Sequence, residues 1–189
     1  MASANDAASP IDAVIKFWFG LETIPRWFRN DDQAAFDAEC DQQAGDLMVA
    51  AMAGELDHWQ RTPRGALALT ILLDQLPRNL HRGTPEAFAA DPKARAVATQ
   101  AIEVGFDRDM MITARLFLYL PFEHSESLGD QERSVALHEQ LGCPFYMIFA
   151  KKHHVIIERF GRFPHRNTIL GRESTPEELA FLKEPDSSF

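Results

Sequence analysis

Cysteine is nearly absent from this 189-residue chain: Cys40 and Cys143 stand alone, without a CxxC pair or a Cys/His cluster. That excludes a disulfide framework and a zinc knuckle, and it fits the reducing cytoplasm, so the expected location is cytoplasmic. Basic residues are also scarce, with 19 Lys and Arg against 28 Asp and Glu and a formal net charge of -9. A nucleic acid needs a continuous basic surface that releases counterions, so no nucleic-acid partner is expected. No stretch approaches the roughly 20 uncharged apolar residues of a membrane span, which argues against a membrane partner. Residues 1–9, MASANDAAS, have neither a basic nor an apolar leader region and read as a flexible N-terminal tail. Convincing strand pairs and Asn-Gly hairpins are missing, which excludes a sheet. A repeat of fixed period is missing too, so the residues do not support a regular solenoid.

What is abundant is helix punctuation. Pro recurs just after a capping residue and Gly recurs where periodic segments end. Ser9 caps a first helix with Pro10 at its opening position, and Ile11, Val14, Ile15 and Trp18 form its apolar stripe up to Gly20. A second starts at Asn30 to Asp32 and ends before Gly54. Thr62-Pro63 opens a third, apolar nearly all round through ALALTILLDQL, which marks a central element stopped by Pro77. Further helices run from Asp91-Pro92 to Gly105, through MMITARLFLYL into Pro121, from about Gly129 to Leu141, and from about Pro144 to Phe160. Thr175-Pro176-Glu177-Glu178 is a capping box on a short last helix. The expectation is an all-α fold of seven to eight antiparallel helices in one domain spanning 10–189. A chain this long buries roughly 70% of the surface its unfolded form exposes and needs no staple.

Three segments put charged or amide side chains against these apolar helices, where an unpaired polar group costs several kcal/mol. The first is Asp74-Gln75-Leu76-Pro77-Arg78-Asn79, continuing to Arg82. Arg78, Asn79 and Arg82 suit either a helix C-terminus or a binding site. The second is Pro121-Phe122-Glu123-His124-Ser125-Glu126, where imidazole and carboxylate can be tuned against each other for acid/base work. The third runs from Arg159 through Arg162, His165, Arg166 and Asn167 to Arg172, four arginines with no acid between them. Arginine forks bind carboxylate or phosphate bidentately, or they tie down buried acids of the chain itself. His153 shares the apolar face of Phe149, Ile156 and Phe160 and points inward, whereas His154 turns away. Arg115, inside the apolar MITARLFLYL, demands a carboxylate partner, with Glu126 and Asp74 the candidates.

LLDQLPRN, PFEHSE and RFGRFPHRN in this order, with Phe17-Trp18-Phe19-Gly20, Trp27-Phe28 and the closing LGRESTPEE, resemble the bacterial family called domain of unknown function 924. The resemblance covers essentially the whole chain. It implies an all-helical fold of layered helix pairs similar to tetratricopeptide-repeat proteins, and it implies no reaction. The family's signature positions fall here on Asp74, Gln75, Pro77, Arg78, Asn79, Arg82, Pro121, Phe122, His124, Ser125, Glu126, His153, Arg159, Gly161, Arg162, Pro164, His165, Arg166 and Asn167. The chain departs from the pattern at Leu76, where an aromatic is common, and at Glu123, where Met is common.

The leading reading is a pocket for a small anionic metabolite between the three segments. Asp74, Gln75, Arg78, Asn79, Arg82, Ser125, His153, Arg159, Arg162, His165, Arg166 and Asn167 are its expected ligand-binding residues. His124 and Glu126 are the catalytic candidates, and the residues leave open whether turnover takes place. No cofactor is expected, and the absence of HxxxH or Glu-x-x-His spacing gives no metal site. The alternative is a tetratricopeptide-like protein or peptide interaction module in which the same residues form a purely structural polar core. A metabolite site is a pocket holding all three segments; a peptide site is an open groove several helices long.

Overall fold

The computed structural model describes residues 9–28, 31–185 and 187–188, so the tail expected over 1–9 lies, but for Ser9, outside the described residues, as does the helix start expected at Asn30. Among the described residues there are eight α-helices and no strand. They are α1 (Pro10–Trp18), α2 (Gln33–Ala53), a long composite α3, α4 (Asp91–Glu103), α5 (Ile112–Glu123), α6 (Leu128–Leu141), α7 (Pro144–Phe160) and α8 (Pro176–Phe181). Helix α3 has α-helical halves at Pro63–Thr70 and Leu76–Leu80, joined by a π-helical turn at Ile71–Gln75. Short 3₁₀ turns lie at Ile24–Arg26, Asp57–Arg61, Pro85–Phe88 and Pro164–Arg166.

The punctuation acts as its chemistry requires. The Ser9 and Thr62 hydroxyls accept the amides of Asp12 and Gly65, and Thr175 with Glu178 closes a complete capping box. Two prolines behave differently from the expectation. Helix α3 does not stop at Pro77, and α5 runs through Pro121 to Glu123. Proline inside an α-helix lacks one donor, and its ring meets the carbonyl four residues back. In α3 the π turn, in which the Leu76 amide bonds the Ile71 carbonyl, widens the helix immediately before Pro77 and relieves that clash. In α5 the proline sits in the last turn, and the helix ends two residues later at Glu123.

Helix α3 is the axis of the molecule and packs against α1, α2, α4 and α5. Ala66, Ala68, Leu69, Ile71, Leu72, Leu73 and Leu76 are fully buried in it, consistent with an apolar surface all round. Trp18, Trp27, Phe36 and Phe117 stack at one end, with Trp18 ring centroids 5.5–6.3 Å from the other three. Cys40 is buried and reduced, its thiol pushed up to about 12 by burial. A second, smaller core of Ile156, Ile157, Phe163 and Phe181 joins α7 to α8.

Arg115 does not have the carboxylate partner expected of it. Its Nε donates to the Tyr119 hydroxyl at 3.1 Å, which donates in turn to Asp107 at 2.6 Å. The side chain is only partly buried, so a phenol relay suffices where a buried guanidinium would need an acid in direct contact.

Candidate functional site

Three local devices build one site. The π turn holds Asp74 and Gln75 with the cavity-facing Arg78 one turn on. The end of α5 delivers Glu123, with His124 as its C-terminal cap. Helix α7 ends at Gly161, whose φ of 68° is left-handed and suits glycine. The chain then doubles back, buries Phe163, and the 3₁₀ turn at Pro164–Arg166 presents His165 and Arg166. Between these elements lies a cavity of about 810 Å³. Its polar lining includes Gln75, Arg78, Glu123, His124, His153, His165 and Arg166; Asn79 and Arg82 stand at its edge. Trp27, Phe28, Phe88, Phe145, Tyr146 and Phe149 supply aromatic walls.

Asp74 lies behind His124, with no exposed surface. The His124 Nδ1 is 2.8 and 3.0 Å from its two oxygens, and the Gln75 amide donates to it at 2.5 Å. Burial alone would raise the Asp74 carboxyl, but Arg78, 3.3 Å away, and His124 outweigh it and hold it well below the ordinary carboxylate range. Burial and then Arg78 lower the His124 imidazole, against the pull of Asp74. An ionised carboxylate accepts, so Nδ1 of the neutral ring carries the hydrogen and Nε2 carries the lone pair. Such a ring has its tautomer fixed by Asp74 and presents the free lone pair that proton abstraction requires.

Glu123 is buried on the other side of His124. Oε1 is 3.3 Å from the His153 Nδ1 and Oε2 is 3.3 Å from the His138 Nε2. Burial, and then the Asp74 charge, push its carboxyl up to about 8. His138 Nδ1 lies 2.9 Å from the Ser134 carbonyl and His153 Nδ1 lies 2.9 Å from the Phe149 carbonyl, so both nitrogens are donors. The His138 Nε2 is then an acceptor facing a protonated Glu123, although neither Glu123 Oε2 nor that nitrogen has an aligned hydrogen bond. Burial and then His124 lower His153 to about 3; burial and then Arg166 lower His165 to about 4. The site thus holds an ionised Asp74, a protonated Glu123 and neutral imidazoles within one enclosure.

Two arginines occupy its floor. Arg78 donates to both oxygens of Asp91 at 2.8 and 3.0 Å and to the Asp74 carbonyl at 2.7 Å. Arg166 is 6% exposed and lies between the Phe88 and Phe163 rings, 4.4 and 4.6 Å from their centroids. Asp91, at 3.7 Å, is its one ion-pair contact among the described residues; it makes no hydrogen bond to them, and its Nε is buried without a partner. Burial and then Arg78 lower it to about 10. An arginine in this environment is costly unless something else completes it.

The other candidates are held by partners inside the chain. Asn79 and Arg82 both reach Asp37 on α2, at 2.8 and 3.1 Å. Arg159 pairs with Glu177 at 3.0 Å on the surface, and Arg162 grips Glu178 at 2.6 and 2.8 Å, holding that carboxyl down at about 2. Glu126 does not face His124. It accepts the Phe163 amide at 2.8 Å and both prongs of Arg172 at 2.7 and 2.9 Å. Ser125 donates to Asp130, and Asn167 joins Arg172 to Ser174. These five, Ser125, Glu126, Arg159, Arg162 and Asn167, are absent from the cavity wall because nearby partners inside the chain claim their polar groups. The carboxyl that does line the wall is Glu123, which the sequence flagged only as a departure from a family pattern. An acid closing the apolar run FLYLPFE, with no Lys or Arg within one turn, was the available signal. Asp91 was read as a helix start, and nothing local tied it to Arg78.

Comparison with known proteins agrees with this architecture. The model of the family described as bacterial protein of unknown function, DUF924, matches residues 14–186. A solved structure of a protein of unknown function from Agrobacterium tumefaciens is similar at 43% sequence identity and a TM-score of 0.86. The match covers 94% of this chain and 99% of that one. None of the curated proteins matches.

Proposed function

This chain belongs to the bacterial DUF924 family, and we propose that its cavity binds a small organic anion on Arg166 and Arg78, beside a His124–Asp74 pair placed to act as general base. The observation that carries the reading is Arg166, a buried guanidinium with no hydrogen bond to the described residues, lying in a cavity wall between two aromatic rings. A carboxylate or similar anion would supply the missing acceptors, and the dry surroundings would strengthen the contact. His124 offers an Nε2 lone pair and Glu123 offers a proton, so environment separates one base from one acid, the pattern expected where protons are moved. Polar groups from all three segments gather around one cavity rather than along a helical groove, which favours a metabolite over a peptide.

Thermal unfolding in the presence of organic and inorganic anions tests the reading. An anion at ~100 times its dissociation constant should add about 2.7 kcal/mol of stability to the parent protein. Arg166→Gln should lose that response. A response unchanged in Arg166→Gln, or no response to any anion, overturns it.

A further inference from the structure

Resting on that reading, we infer that the ligand is an amphipathic monoanion: one carboxylate-sized head on Arg166 joined to an apolar body that runs along the aromatic wall to the mouth of the cavity.

The two ends of the cavity have different chemistry. On the floor, the cations Arg78 and Arg166 face the carboxylates Asp74 and Asp91, so fixed charge is already balanced. A single negative charge can share the under-coordinated Arg166, whereas a second would meet Asp91 and Asp74, and the other arginines of the lining, Arg26 and Arg82, are already paired with Glu39 and Asp37. A diphosphate or dicarboxylate is therefore disfavoured. Towards the mouth the lining turns aromatic. Phe28, Phe145 and Phe149 remain 61%, 60% and 37% exposed, and the rings of Phe145 and Phe149 pack edge-on with centroids 5.2 Å apart. Large exposed side chains grouped at a cavity rim mark a surface that something apolar covers. The volume of about 810 Å³ falls in the range of small-molecule sites and far exceeds what a bare anion needs. An apolar body filling it would cover these rings while its head reaches the floor.

The experiment is calorimetric titration of the full chain with straight-chain monocarboxylates from acetate to octanoate, each beside the primary alcohol of equal length, and with inorganic phosphate and butanedioate. Affinity should rise by up to about fourfold per methylene, the factor corresponding to roughly 0.8 kcal/mol per buried group, until the cavity is filled. Each long carboxylate should bind at least about tenfold more tightly than its alcohol, as expected when a charge-assisted pair is lost. Phe149→Ala should weaken octanoate several-fold and leave acetate unchanged. Acetate binding as well as octanoate, or phosphate or butanedioate outcompeting it, overturns the amphipathic monoanion and leaves the anion site standing. Alcohols matching carboxylates at every length, or no binding by any compound, overturns both. The length series and alcohol comparison are made on the parent protein, so the outcome does not depend on whether a variant folds.

Discussion

Two clusters of arginine and carboxylate draw on the same short segments, with Glu126 and Arg162 in one and Glu123 and Arg166 in the other, and differ in how completely they are satisfied. Around α8, Arg162 with Glu178 and Arg172 with Glu126 form two-pronged pairs, and in each one carboxylate oxygen also accepts a backbone amide, from Thr175 and Phe163 respectively. On the cavity floor, Arg166 has one distant acid among the described residues, Asp91 is shared, and the Glu123 Oε2 lacks an aligned partner. The first cluster is a latch that fastens the C-terminal segment. The second leaves hydrogen-bonding capacity over, and that excess is what a ligand can use. Residue type does not tell them apart; the completeness of the partner set does.

Removing the buried anchor of the floor should have the largest effect. Asp74→Ala leaves the buried Gln75 amide and the His124 Nδ1 hydrogen without their acceptor and leaves Arg78 to Asp91 alone, and breaking a buried charged network in this way costs about 3 to 5 kcal/mol. For a chain of this size that is a fall in melting temperature of roughly 6 to 20 °C, read by calorimetry. A change below about 0.5 kcal/mol would mean that the floor is already solvated and not comparable with the latch.

The latch should respond more mildly. Glu126→Gln keeps the shape but weakens the Arg172 fork and the Phe163 amide bond, for a loss of roughly 1 to 2 kcal/mol in chemical denaturation. The Glu126 carboxyl is held below its ordinary value by Arg172 and the Phe163 amide, against burial. Its contribution is therefore present above the ordinary Glu range and lost as pH falls below about 4, a loss the Gln variant should not show.

Glu123 should give the opposite pH sign. A carboxyl raised to about 8 in the folded state is more protonated there than in the unfolded chain, so stability declines as pH rises from the ordinary Glu range through about 8. His153 and His138 are lowered and make stability rise with pH only up to their ordinary range. Between pH 7 and 8 the Glu123 slope is left alone, at most about 1.4 kcal/mol per unit. Glu123→Gln should flatten it. A carbon resonance of the Glu123 carboxyl titrating near 4.5 instead of 8 would remove the acid from the site.

Arg162→Lys should produce the smallest effect on ligand. It keeps charge but loses the fork to Glu178, so unliganded melting drops while the anion-induced shift matches the parent. A reduced anion shift with unchanged melting would move Arg162 from the latch to the pocket.

Most of the fold was legible because its signals are local. Ser9-Pro10, Thr62-Pro63 and Thr175 through Glu178 each cap a helix with residues three or four positions apart. What was not legible depends on distance. Arg162 and Arg166 are the same residue type four positions apart, and only the fold decides that one meets Glu178 while the other meets two phenylalanines. Glu126 and Glu123 exchange roles for the same reason, since Arg172 lies 46 positions from Glu126. The aromatic wall was hidden because Phe145 and Phe149 follow helical spacing, as core residues also do. Pro77 misled as a stop signal because the π turn that accommodates it has no sequence mark of its own.

That turn is also a phase shifter. Each residue of an α-helix advances the azimuth by about 100°, and one π turn holds a residue more than an α turn. The two halves of α3 are therefore offset as though a residue had been inserted between them. From Gly65 to Thr70 the first half is buried on every side, while the π turn and the second half direct Gln75 and Arg78 towards the cavity and Asn79 and Arg82 towards Asp37 on α2. The same cylinder serves as a structural axle at one end and as part of a binding wall at the other, and the changeover takes five residues.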